Sequence, residues 1–223
     1  MSQPTTIDDQ PISATFFDEG QWLTSFVTPN VLEVKELYEH ITQNVDALED
    51  KLIACWDWVA GKVKYVKFVR AKLWVNGRAS VQSDYWQKPS QLIRTRVGNC
   101  ANKAFLLASL VRNSLPEGSV HCVLGNLNQG RDPGGHAWVQ VNVDDVEYIM
   151  ESTRGDMQPL VVSNVAEIYE PVVYFNDEGV SAIEGRTLLV PFTAVYADWL
   201  RDYLDWIYIN GEGRGITQGR GKL

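Results

Sequence analysis

This sequence lacks the features of a membrane-spanning protein and of a secreted, disulfide-bonded one. No window approaches the ~18 consecutive apolar residues of a spanning helix. The first nine residues, Met-Ser-Gln-Pro-Thr-Thr-Ile-Asp-Asp, contain neither the basic region nor the apolar core of a signal peptide. The three cysteines are an odd number without a Cys-x-x-Cys pair, so neither a disulfide framework nor a zinc knuckle is predicted. We therefore expect an intracellular, cytoplasmic protein that does not bind membranes.

Positive charge is also scarce. The chain has 20 Lys and Arg against 28 Asp and Glu, a formal net charge of −8, which repels phosphate backbones and makes nucleic acid an unexpected partner. The three histidines, the three cysteines and Asp144-Asp145 match no metal-binding spacing. We therefore expect no metal and no cofactor.

What the chain does have is the composition of a globular protein. Of its 223 residues, 45% are hydrophobic and 22% charged, and a chain of this length can bury a substantial core. Helical periodicity comes first along the chain and strand periodicity second, which predicts an α+β fold with a mostly antiparallel sheet. The predicted helices are 31–45, 48–63, 91–96 and 100–114. A hairpin or ordered loop is predicted around Asn76-Gly77. The predicted strands are 119–125, 136–144 and 146–153, with possible additions at 172–175 and 187–192.

The predicted domain organisation is simple. Residues 1–30 are interpreted as an N-terminal arm and residues 31–209 as a single domain, with its core at 48–155 and further strands and a helix within 156–209. Aromatic residues between Tyr196 and Trp206 recur at helical spacing and predict that last helix. The glycine-rich residues 210–223 are interpreted as a flexible tail.

Cys100 is the thiol with the most reactive predicted surroundings. Gly98 permits a close approach of the chain, Asn99 is a good helix N-cap, and Cys100 then lies in the first turn of the predicted helix. The free N–H groups and the positive dipole end there favour a thiolate, and the same N–H groups can receive an oxyanion. The sequence therefore predicts a nucleophile at Cys100, against the alternative of a small buried hydrophobic residue.

His136 and Glu151 are predicted to meet across a hairpin. If the chain turns at Asp144-Asp145, paired positions sum to 289, so His136 lies opposite Thr153 with Glu151 as its diagonal neighbour on the same face. A carboxylate there would fix the imidazole tautomer while the other ring nitrogen faces the thiol. This is the logic of a Cys-His-acid acyl-transfer enzyme; the alternative is a half-buried histidine beside a surface glutamate.

The remaining cysteines and histidines are not expected to take part in chemistry. Cys55 lies on the apolar stripe of a predicted helix and Cys122 shares strand parity with apolar neighbours, so both are expected in the core. His40 and His121 have no acidic partner at a motif spacing and are expected to be partly exposed.

Four segments together resemble the transglutaminase-like superfamily of papain-fold cysteine enzymes. They are the turn and helix of Thr95–Arg112, the strand Val120–Gly125, the strand starting at His136-Ala-Trp138, and the strand end at Glu151-Ser-Thr153. The resemblance spans roughly residues 48 to 155. It implies a papain-like fold in which Cys100 is the nucleophile, His136 the general base and acid, and Glu151 the acid that orients the imidazole.

Two positions depart from the pattern of that superfamily. Asn99 stands where an Asp is usual but can still cap the helix, and Glu151 stands where the triad Asp is usual and is one methylene longer. For the second oxyanion donor the resemblance points to the backbone N–H groups of Trp86 or Gln87, against the alternative of ordinary loop packing.

The leading functional hypothesis is a cysteine-dependent amide hydrolase, a peptidase or amidase that acts on a peptide or protein substrate through a thioester. If an amine resolves the thioester in place of water, the same residues make a transglutaminase. A third alternative is a catalytically inactive binding module of the same fold.

Overall fold

The structure, a computed structural model, describes residues 5–7, 23–75, 78–83, 85–128, 134–156 and 159–186. Its helices are α1 (Leu32–Thr42), α2 (Leu48–Lys62), α3 (Pro89–Thr95) and α4 (Cys100–Val111). Its strands are β1 (Thr5–Ile7), β2 (Lys64–Tyr65), β3 (Val69–Val75), β4 (Arg78–Ser83), β5 (Val97–Gly98), β6 (Val120–Leu127), β7 (Gly134–Val143), β8 (Val146–Met150), β9 (Leu160–Val161), β10 (Tyr169–Phe175) and β11 (Val180–Ala182). None of the helices in these ranges has the length and apolar character needed to cross a bilayer.

The main sheet has six strands in the order β11-β10-β6-β7-β8-β9, and all neighbours are antiparallel. The hairpin of β7 and β8 turns at Asp144 and Asp145, which have φ of 50° and 63°. Positive φ at both turn residues matches the right-handed twist of the flanking strands, and short polar side chains tolerate it best. This turn fixes which residues of β7 and β8 face each other.

Two smaller sheets stand beside the main one. β3 pairs antiparallel with β4 and parallel with β1, and β2 pairs parallel with β5. In the second pair the N–H of Lys64 donates to the carbonyl of Arg96 (2.8 Å) and the N–H of Val66 to that of Gly98 (3.0 Å). The chain after α2 is thereby held against the segment that leads into α4.

Helix α4 is the centre of the core. Every residue from Ala101 to Val111 is buried, because one side of the helix packs on the main sheet while α1, α2 and α3 cover the others. On the sheet, Ala137, Val139 and Val141 face this core, while Trp138 belongs to a second apolar cluster on the opposite face. A helix buried all round has its position fixed by packing, so its first residue is fixed as well.

The α+β class with an antiparallel sheet is confirmed, and β3 and β4 form the hairpin predicted around Asn76-Gly77. Three predicted ends were wrong by three residues, the first being that of α1, which ends at Thr42 and not at Val45. Helix α4 ends at Val111 and not at Ser114, because the Asn113 side chain donates to the Ser109 carbonyl (2.9 Å) and the chain turns away. Strand β8 ends at Met150 because Thr153 turns back onto the carboxylate of Glu151.

Part of the predicted organisation cannot be compared. Within the N-terminal arm, Leu23, Phe26 and Val27 are buried in the core, and Thr24–Phe26 forms a short 3-10 helix. The predicted strand at 187–192, the helix between Tyr196 and Trp206 and the glycine-rich tail lie outside the described residues. The domain bounds therefore stay a prediction.

Candidate active site

Cys100 is the first residue of α4 and is partly exposed. The helix begins with a reciprocal cap in which the Asn102 N–H donates to Asn99 Oδ1 (3.1 Å) and the Asn99 N–H to Asn102 Oδ1 (3.2 Å). At Gly98 an added Cβ would lie 2.8 Å from both Asn102 Cβ and Leu92 Cδ1. The close approach predicted for glycine is therefore observed, and the asparagine that replaces the usual aspartate still caps the helix.

The segment before Cys100 is fixed by hydrogen bonds from two buried side-chain amides, those of Gln87 and Asn102. Gln87 Nε2 donates to the Val97 carbonyl (2.8 Å), Gln87 Oε1 accepts from Thr95 Oγ1 (2.7 Å), and Asn102 Nδ2 donates to the Tyr85 carbonyl (3.3 Å). Buried polar groups with satisfied hydrogen bonds restrict the backbone to one arrangement. These contacts fix the direction from which the chain enters the helix.

His136, the third residue of β7, lies next to Glu151. The ladder between β7 and β8 pairs Val139 with Met150 and Val143 with Val146, which is the register predicted from the Asp144-Asp145 turn. Glu151 follows the end of β8, and its Oε2 lies 2.7 Å from His136 Nε2. Both side chains are buried, with 8% and 2% of their surface exposed.

The carboxylate of Glu151 is held by residues other than the histidine. Its Oε1 accepts from the N–H (2.8 Å) and the hydroxyl (2.6 Å) of Thr153, and its Oε2 accepts from the Tyr169 hydroxyl (3.1 Å). The Glu151 carbonyl accepts from Trp56 Nε1 at 2.7 Å, which connects the site to α2. The longer side chain therefore has a fixed position, which answers how glutamate can stand where aspartate is usual.

These contacts favour an imidazolium beside a carboxylate. Burial opposes the charge of His136, but its hydrogen bonds to Cys100 and Glu151 outweigh burial and raise its pKa from 6.5 to about 10. Burial likewise opposes ionisation of Glu151, but hydrogen bonds from His136 and Thr153 keep its pKa below the ordinary value. Because Nε2 of the histidine bonds Glu151, Nδ1 is the nitrogen left for the Cys100 thiol. The structure thus brings Cys100, His136 and Glu151 together.

The other two thiols have different surroundings. Cys55 and Cys122 are both fully buried, as predicted. Burial raises the pKa of Cys55 to about 12 and that of Cys122 well above its ordinary value. The prediction for His40 is consistent with its exposed position on α1, but that for His121 was wrong: only 2% of its surface is exposed, because it packs edge-on against Tyr174 of β10.

Trp86 and Gln87, the predicted sources of a second oxyanion donor, are both buried. The Trp86 ring packs against Phe26 and Phe105, with ring centroids 5.8 and 5.4 Å away, and the Gln87 side chain makes the hydrogen bonds described above. Their side chains therefore support the loop before α3. The assignment of their backbone N–H groups to an oxyanion stays a prediction.

Sequence reasoning missed two polar residues at the site. Tyr169 lies on β10, 18 residues beyond Glu151, and no spacing rule connects the two. Lys103 is one turn beyond Cys100 with 1% of its surface exposed, and its Nζ donates to the carbonyls of Ala60 (3.2 Å) and Val63 (2.9 Å) at the end of α2. A single charged residue in a helix of otherwise uncharged, mostly apolar residues was the available signal. Among the described residues, no cluster of His, Cys, Asp and Glu could hold a metal ion.

A helix that begins with a partly exposed cysteine, packed on an antiparallel sheet that carries a His-carboxylate pair, defines the papain-like class of fold. The model of the transglutaminase-like superfamily matches residues 35–150. The chain therefore belongs to the transglutaminase-like superfamily. No curated protein sequence matches the chain.

Solved structures with a related fold include a proposed cysteine protease from Cytophaga hutchinsonii (17% identity, 75% of this chain and 55% of that one, TM-score 0.44). Calcium-bound LapG from Legionella pneumophila is 18% identical over 77% of this chain and 97% of its own, with a TM-score of 0.43. EGTA-treated LapG gives 18% identity, 76% and 96% coverage and a TM-score of 0.44. The chain thus spans about half the length of the first of these proteins. Similarities of this size carry no argument about activity.

Proposed function

We propose that this chain is a cysteine-dependent amide hydrolase that acts on a peptide or protein. The observation that carries the proposal is the position of His136, whose Nε2 lies 2.7 Å from Glu151 Oε2 and whose side chain also interacts with the Cys100 thiol. A nucleophile, a base and a group that orients the base are the parts that nucleophilic catalysis requires.

In the proposed reaction the thiolate of Cys100 attacks the amide carbonyl, and the N–H groups at the start of α4 stabilise the oxyanion. The imidazolium of His136 then gives its proton to the leaving amine, and a thioester to Cys100 remains. His136 next takes a proton from water, whose oxygen attacks the thioester; the carbon-sulfur bond breaks, and the acid and the Cys100 thiolate are released beside the imidazolium. Glu151 holds the imidazole in place and stabilises its charge throughout.

Acylation by a small activated ester tests this proposal without knowledge of the substrate. With p-nitrophenyl acetate we expect an acetyl adduct on Cys100 in the intact mass, followed by its loss as water resolves the thioester. Cys100→Ser should form no thioester, and His136→Ala should acylate at least about 100-fold more slowly. The proposal fails if wild type and His136→Ala acylate at the same rate, which would favour an inactive binding module.

The same assay separates hydrolysis from transamidation. Added monodansylcadaverine competes with water for the thioester, so the ratio of free acetate to acetylated amine measures the partition. We expect acetate to predominate at about millimolar amine, the usual order of a Michaelis constant for a small substrate. If the acetylated amine predominates there, the chain is a transglutaminase and not a hydrolase.

A further inference from the structure

The charge of this acidic chain is unevenly distributed, and its positive part lies beside Cys100. Residues 58–83 contain six Lys and Arg and no Asp or Glu, although the whole chain has 20 basic and 28 acidic residues. Among the described side chains, five cations of this segment and of the turn before β5 are exposed; we call them the basic strip: Lys62, Lys64, Lys67, Arg70 and Arg96.

Backbone hydrogen bonds hold the basic strip next to the segment that precedes the nucleophile. Lys64 lies on β2, which pairs with β5, and the N–H of Val66 donates to the carbonyl of Gly98, two residues before Cys100. The guanidinium of Arg96 is held over the Trp58 ring of α2, with Cζ 4.3 Å from the ring centroid. The part of the basic strip around Lys64 and Arg96 is therefore attached to the segment that leads into Cys100.

In the part of the chain that the structure describes, the cations of the basic strip form no ion pair with a carboxylate. The ion pairs found there involve other cations, such as Arg94 with Glu33 and Arg112 with Asp177. Two aromatic side chains lie among the cations and are also exposed: Tyr65 at 45% and Phe68 at 42%. Aromatic residues and arginine are enriched at binding surfaces.

We propose that the basic strip, with Tyr65 and Phe68, docks an acidic segment of the protein substrate and presents a neighbouring amide to Cys100. The inference rests on the proposed function, because it assigns a substrate class to the same site. Charge complementarity selects the occupant: a row of cations on a chain of net charge −8 attracts carboxylates locally. A peptide is favoured over nucleic acid because the adjacent thiol acts on amides and the net charge repels a long polyanion.

Fluorescence anisotropy with the full-length Cys100→Ala chain tests the proposal without turnover. The probe is a fluorescein-labelled peptide of alternating Glu and Ala, and its control has Gln in place of Glu. We expect the Glu peptide to bind at least about tenfold more tightly at low salt, and the difference to shrink when NaCl rises to about 0.5 M.

Charge reversal locates the binding surface. Lys64→Glu with Lys67→Glu should weaken binding of the Glu peptide about tenfold, since each reversal removes an attraction to the peptide carboxylates and adds a repulsion. The matched control is Lys35→Glu with Lys51→Glu, on α1 and α2, which changes the net charge equally. Its affinity for the Glu peptide should stay within about twofold of that of the chain with both lysines intact. If the first pair lowers the melting temperature, Lys64→Gln with Lys67→Gln replaces it.

Three results would overturn the inference: equal binding of the Glu and Gln peptides, an equal loss of binding in the control pair, or equally tight binding of single-stranded DNA with the same number of charges. The last result would assign the strip to nucleic acid. None of them changes acylation of Cys100, so failure of this inference is distinguishable from failure of the proposed function.

Discussion

Cys100 and Cys122 lie on neighbouring elements and have the same side chain, yet their surroundings make the two thiols chemically different. Cys122 is on β6 in the apolar core, where burial raises the pKa of its thiol well above the ordinary value. Cys100 is partly exposed at the start of α4 and hydrogen-bonds His136. A thiol alone is therefore not enough for a candidate nucleophile. The thiol must also lie at the start of a helix and beside a base.

The largest expected effect separates these thiols directly. With fluorescent iodoacetamide below pH 7, we expect the folded chain to label at Cys100 alone, because the other two thiols are buried and hard to ionise. Cys100→Ser should lower the labelling rate about 100-fold or more, whereas Cys55→Ser and Cys122→Ser should leave it unchanged. Persistent fast labelling in Cys100→Ser would show that the comparison is wrong.

A smaller effect is expected where β6 passes from the core to the site. Gly125 pairs with His136, and an added Cβ there would clash with the Glu170 carbonyl and the Trp138 ring. Because backbone cannot move aside cheaply, we expect Gly125→Ala to lower the free energy of unfolding by about 3 kcal/mol in urea titrations.

The matched control is Gly118→Ala, at a position where an added Cβ meets nothing within 4 Å. Its free energy of unfolding should change by less than about 0.5 kcal/mol. Equal effects of the two substitutions would contradict the tight packing around the start of β7.

The pH dependence of the free energy of unfolding tests whether His136 and Glu151 beside Cys100 are ionised. The raised pKa of His136 contributes stability that is complete below 6.5 and is lost as pH rises towards about 10. The lowered pKa of Glu151 contributes stability that is complete above 4.5 and is lost as pH falls through its folded-state value. Both contributions are present between about pH 4.5 and 6.5.

Glu151→Gln should therefore cost most within that window. We expect a loss of about 2 kcal/mol near pH 5.5 in urea titrations, because charged hydrogen bonds to His136 and Thr153 are weakened. The loss should shrink as the pH is raised to about 10. A loss that is constant across this range would show that the pair is not ionised in the folded chain.

The smallest effect is expected at Tyr169, a positioning residue. Its hydroxyl donates to Glu151, so Tyr169→Phe should slow alkylation of Cys100 a few-fold, equivalent to about 1 kcal/mol, and shift the range over which alkylation is fast to slightly higher pH. Tyr148→Phe, on β8 and packed against the core, is the control and should change neither. If Cys100 alkylation has the same pH profile in the two variants, Tyr169 is not a positioning residue.

Sequence reasoning succeeded where the determinants are local. The cap at Asn99, the close approach at Gly98 and the register set by Asp144-Asp145 each depend on a few consecutive residues, and together they placed His136 beside Glu151. It failed where contacts are distant in the chain. Tyr169 reaches Glu151 only because β10 pairs with β6, and His121 is buried by the same strand. No periodicity within one segment reports such a pairing.

The burial of Lys103 has a related cause. Charged residues are normally assigned to the exposed face of a helix, but α4 is enclosed by three helices and a sheet and has no such face. Lys103 is accommodated because the end of α2 supplies two carbonyls. Only the packing of α2 against α4 reveals that partner.

The central claim is that His136 and Glu151 activate Cys100, and the pH dependence of Cys100 alkylation in wild type, His136→Ala and Glu151→Ala tests it most directly. We predict that wild-type Cys100 stays reactive down to about pH 5, while His136→Ala reacts only as the pH nears the ~8.5 of a free thiol, with Glu151→Ala in between. Three identical profiles with midpoints near that free value would contradict the account.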